Sequence, residues 1–124
     1  MSASQSLEGI WQPVSAEHDG EAAPKMVLDR MEIELAAGKY TVRFSGVAAD
    51  QGTYKVDAEG LTLVGVSGPN AGLTIPCLYK FAGGGALTIC YGLGGTRPPS
   101  FATGKGQQRY LANYRRKPGR TVSF

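Results

Sequence analysis

A two-residue alternation of apolar and polar side chains, cut at short intervals by glycine-bearing turns, constrains this chain more than any other feature. In "RMEIEL", Met31, Ile33 and Leu35 fall on one side and Glu32 and Glu34 on the other. "AAGK" reads as a turn, and "YTVRF" then places Tyr40, Val42 and Phe44 on the buried side. "GTYKV" repeats the pattern with Tyr54 and Val56 inward, and "DAEG" leads into "LTLVGV", where Gly65 marks a bulge or bend. A period of two puts successive side chains on opposite faces of a strand, so each stretch predicts a half-buried strand.

"GIWQPVSAE", "LTIPCLYKF", "ALTICYG" and "QRYLANYRR" bring the count to eight strands. Only "PKMVLDRM", residues 24–31, suits a helical turn, with Pro24 near its first position. Eighteen glycines and seven prolines in 124 residues supply the turns that so many strands need. Short strands at this spacing predict an all-β, antiparallel, up-and-down eight-stranded barrel, closed because closure removes aggregation-prone edges. The length fits one domain. The expected division is a disordered tail over 1–6, the barrel over 7–116 and a basic tail over 117–124.

Cys77 and Cys90 lie on the two arms of one hairpin, so its register decides whether they can meet. A loop of Gly83-Gly84 would put them face to face. A loop of Gly83-Gly84-Gly85 pairs Lys80 with Thr88 and Phe81 with Leu87, and gathers Cys77, Tyr79, Phe81, Leu87, Ile89 and Tyr91 on one face. Apolar sorting selects the second register, because a one-residue slip would send one arm's side chains to the wrong face. The thiols then point to opposite sides and stay free, which suits a reducing, cytoplasmic compartment.

Groups able to do chemistry are sparse. His18, the single histidine, sits in the polar turn "AEHDGE", and two cysteines without a CxxC form no metal pattern. Glu32 and Glu34 face outward, while Asp50, Asp57 and Glu59 are expected at turns, so no buried carboxylate pair is visible. Neither "AGGGA" nor "GLGGT" leads from a strand into a helix, which leaves a phosphate-cradling loop unsupported. These readings predict a protein that is not an enzyme and carries no cofactor.

The inward aromatics are what remain. Tyr40, Phe44, Tyr54, Tyr79, Phe81 and Tyr91 take inward positions, with Trp11 beside them. They either fill the barrel or line a partly polar cavity in which tyrosine hydroxyls find partners. In "GLGGTRPPSF", prolines and glycines predict a rigid Ω-type loop with Phe101 tucked under it. Arg97 either ties carbonyls together there with its five donors or points at a ligand carboxylate.

The net charge of +3 is concentrated in the tail, where Arg115, Arg116, Lys117 and Arg120 stand. No basic stripe continues into the body, so nucleic acid is not expected as a partner. Nothing approaches a membrane-spanning apolar run, and "MSASQSLEGIW" lacks the features of a signal peptide.

"GIW", Gly9-Ile10-Trp11, resembles the lipocalin G-x-W at the start of the first strand. With "LEGIWQPVSAEHDG", "KYTV", "DQGTYKVD", "GPNAG", "LYKF" and the closing "CYG…G…RPPSF", the chain is similar to a group of small bacterial lipocalin-like domains of unsettled function. The likeness covers residues 7 to about 116; it departs at the extra glycine of "AGGGAL" and at the basic extension beyond Arg116. It implies a barrel closed near Trp11, under Arg115 or Arg116, and open at the other end. It carries over no catalytic residue. Haem barrels of similar shape need a ligating histidine, and none occurs in the C-terminal half.

The expected function is noncovalent binding of a small, largely apolar molecule, with Trp11, Tyr40, Tyr54, Tyr79 and Tyr91 as the wall and Arg97 at the mouth. The alternative is a filled barrel acting as a protein-interaction module, such as an inhibitor or immunity-type partner of another bacterial protein.

Overall fold

A computed structural model describes residues 7–58 and 60–117. The expected tail over 1–6, the expected basic tail over 117–124 apart from Lys117, and the turn residue Glu59 lie outside the described residues. The strands are β1 (Gly9–His18), β2 (Glu21–Ala22), β3 (Met31–Ala36), β4 (Lys39–Phe44), β5 (Val47–Asp57), β6 (Gly60–Ser67), β7 (Thr74–Ala82), β8 (Ala86–Gly92) and β9 (Arg109–Arg116). Every neighbouring pair is antiparallel, and β1 pairs with both β3 and β9, closing eight strands into an up-and-down barrel. The two-residue β2 is only a flap on the end of β1. One helical turn, α1 (Lys25–Leu28), begins after Pro24 as the sequence predicts. Among the described residues no helix is long and apolar enough to cross a membrane.

One end of the barrel is plugged. Trp11 is fully buried, and its indole N–H donates to the Leu7 carbonyl at 2.8 Å. Its ring lies 6.4 Å from that of Phe81, which meets Tyr79 edge-on at 6.0 Å. The Arg116 guanidinium covers the Trp11 ring at 4.3 Å and donates to the Glu8 carbonyl at 2.6 Å. This assigns the basic residue that the sequence leaves open between Arg115 and Arg116. Gly9 has a φ of +139°, and a Cβ there would stand 2.5 Å from an Arg116 nitrogen. The first residue of "GIW" is therefore a glycine for backbone and space alike.

The β7–β8 hairpin has the three-glycine register: Lys80 pairs with Thr88, Phe81 with Leu87 and Cys77 with Tyr91. Cys77 consequently faces the core while Cys90 faces out, and both are free thiols. Cys90 is nonetheless fully buried. The connection over 93–108 folds back on the outside of the hairpin: the Cys90 thiol points at the Ala102 carbonyl, and the Lys80 ammonium sits 4.6 Å from the Phe101 ring centre. The same connection buries Pro98 and sends Arg97 across to β6 and β7.

Three local expectations change. The β4–β5 turn is Ser45-Gly46, both at positive φ, so β5 starts at Val47 rather than near Gly52. Asp50 thus lies within a strand, not at a turn. A bulge beside it, between the Val42–Asp50 and Arg43–Ala48 pairs, lets the strand bend. Phe44 and Val56, both expected inside, are 40 and 48% exposed, because they lie at the ends of β4 and β5. Glu32 does project outward but is buried under Arg43 and Lys117, each 2.9 Å from it.

Candidate functional site

At the end away from Trp11 the barrel is hollow. A cavity of about 260 Å³ lies among Ile33, Tyr40, Val42, Leu63, Ile75, Tyr91, Tyr110 and Tyr114. Pro13, Met31 and Leu93 border it from the strand ends, and Pro69 and Asn70 from the β6–β7 loop. Its wall is mainly apolar, with two hydrogen-bonded polar groupings and with Glu32, held by Arg43 and Lys117, bordering it from β3.

The first is built on Asp50. Its Oδ2 accepts the Tyr40 hydroxyl at 3.1 Å and the Asn70 side-chain amide at 2.8 Å, and its Oδ1 accepts the Asn70 backbone N–H at 3.3 Å. Asp50 therefore joins the strand wall to the loop that borders the cavity. Burial, then the neighbouring carboxylate, pushes the Tyr40 hydroxyl's pKa well above its ordinary value, keeping it a neutral donor. Tyr40 fits because residue 52 is glycine: a Cβ there would lie 2.6 Å from the Tyr40 ring and 2.0 Å from the Val64 carbonyl oxygen.

The second grouping is Tyr91 and Tyr114, whose hydroxyls share a 2.6 Å hydrogen bond from β8 to β9. One hydroxyl donates and the other accepts, so the pair keeps one further O–H to give. Burial raises the pKa of both, that of Tyr91 further through the adjacent Tyr114. The Tyr110 ring lies 5.7 Å from that of Tyr91.

The predicted wall is thus divided. Tyr40 and Tyr91 line the cavity. Trp11 and Tyr79 belong to the plug, and Tyr54, beside the β3–β4 turn through its N–H to the Gly38 carbonyl, packs against the core without lining the cavity. Arg97 does not line it either. Its Nη1 donates to the Leu61 and Cys77 carbonyls at 3.1 and 2.6 Å, and its Nη2 to the Thr62 hydroxyl at 3.2 Å. Leu61 and Cys77 form the last pair of the β6–β7 ladder, so the guanidinium ties the two strands together at the end where β6 begins.

Sequence reasoning missed Asp50, Asn70, Tyr110 and Tyr114. For the last two a signal existed: Tyr110, Ala112 and Tyr114 alternate inward, and the small Ala112 blurs the pattern. Asp50 gave none, since its place depends on the Ser45-Gly46 turn and the bulge. No protein-family model matches this chain, and no curated protein does either.

Proposed function

We propose that the barrel binds a small, largely apolar molecule noncovalently in the cavity opposite Trp11, and that it performs no catalysis. The hollow itself carries this reading: one end is plugged by tryptophan and arginine while the other keeps an apolar space. Functional pockets typically combine an apolar lining with a few placed polar groups, and Asp50 and the Tyr91–Tyr114 pair are such groups. At about 260 Å³ the space suits a molecule smaller than a typical drug. Two free thiols fit a cytoplasmic setting.

Native mass spectrometry of the purified protein, with a panel of small apolar probes, tests this reading. A stoichiometric adduct is expected; a clean apo mass with every probe overturns it. A protein partner is the second reading, favoured by Met26, Val47 and Val66, which are 72, 68 and 66% exposed on elements at the cavity end. A single stoichiometric protein captured from the native host, with no probe bound, would favour it.

A further inference from the structure

Asp50 is only 8% exposed, yet among the described residues no lysine, arginine or histidine pairs with it. Its hydrogen bonds come from neutral donors, Tyr40 and Asn70. A buried carboxylate is costly unless its charge is compensated, and neutral donors supply hydrogen bonds without a countercharge. A carboxylate offers about four acceptor positions. Two donors occupy Oδ2, whereas among the described residues Oδ1 receives the 3.3 Å backbone contact alone, so Asp50, which lines the cavity, retains acceptor capacity.

We propose that the ligand is a small apolar amine, bound with its ammonium group on Asp50 and its hydrocarbon or aromatic body in the rest of the cavity. This rests on the cavity-binding reading and deepens it. An ammonium completes the hydrogen bonding and neutralises the charge together; an alcohol does only the first. A bare metal ion needs several oxygen or nitrogen ligands, and the described residues include no group of three or more acidic, histidine or cysteine side chains placed to hold one. Tyr40, Tyr91, Tyr110 and Tyr114 border the same space, and aromatic rings attract cations.

Benzylamine, benzyl alcohol and toluene share one skeleton and differ in the group that would meet Asp50. Their affinities for the unaltered protein and for Asp50→Asn, measured by calorimetry at neutral pH, test the inference. Benzylamine should bind the unaltered protein about tenfold more tightly than benzyl alcohol, the scale of a charge-assisted hydrogen bond. Asp50→Asn should lose that preference while still binding toluene. Equal affinities for amine and alcohol would overturn the amine assignment and leave cavity binding standing. Failure of all three probes to bind would bring down cavity binding, and the amine with it. The comparison in the unaltered protein needs no variant, so a misfolded Asp50→Asn does not remove the test.

Discussion

Arg97 shows what one side chain can do for this wall. β6 and β7 pair only over residues 61–64 and 74–77, and the guanidinium takes carbonyls from both strands at the place where they part. The sequence suggests that such an arginine could bind carbonyls, but it points to the arginine's own loop. The true acceptors, Leu61 and Cys77, lie 36 and 20 residues away and are visible only in the fold. Arg97→Ala should cost about 2 kcal/mol, within the range for hydrogen bonds to charged groups. Thermal unfolding should read this as a lowered Tm, with probe affinity unchanged. A normal Tm with altered binding would place Arg97 at the ligand instead. Gly9 and Arg116 differ in how far they could be foreseen. The glycine of "GIW" was legible as a motif, whereas the choice of Arg116 over Arg115 needed the observed contact over Trp11.

Among the elements, β8 departs furthest from simple alternation. Its residues from Leu87 to Gly92 are all buried, because the barrel core covers one face and the 93–108 connection the other. Apolar sorting gave the hairpin register correctly, since Phe81 and Leu87 had to share a face. It could not show that the outer face would be covered too. The two cysteines report on the two faces. Burial pushes the Cys77 thiol up to about 12 and raises that of Cys90 as well, so neither supplies much thiolate at neutral pH. A thiol reagent should leave both unmodified in the native protein. Replacing 94–107 by a short glycine–serine link should expose Cys90 alone, and peptide mapping should then find the label there. Labelling of Cys77 first would contradict this placement of the faces.

Over the whole molecule, the aromatic residues separate into a plug at one end and a lined space at the other. Alternation could place them inside the barrel but not along its axis, which explains why Trp11, Tyr54 and Tyr79 entered the predicted wall beside Tyr40 and Tyr91. Buried acids that stay neutral also give the molecule a pH signature. Cys77 rises from 9.0 to about 12, and Tyr40, Tyr91, Tyr110 and Tyr114 rise from 10.0. Above pH 9 the unfolded chain releases protons that the folded chain retains, so alkali favours unfolding. This stabilisation is complete below pH 9 and is lost as the pH climbs toward 12. A Tm that falls across that window is expected; a flat profile would show that these groups are not protected by burial.

Crystals held under xenon pressure test the hollow end most directly, because xenon enters dry apolar cavities without chemistry of its own. The account predicts an anomalous peak inside the barrel between Tyr40, Leu63, Ile75 and Tyr114, with none beside Trp11. Side chains packed through that space, with no xenon between them, would contradict it.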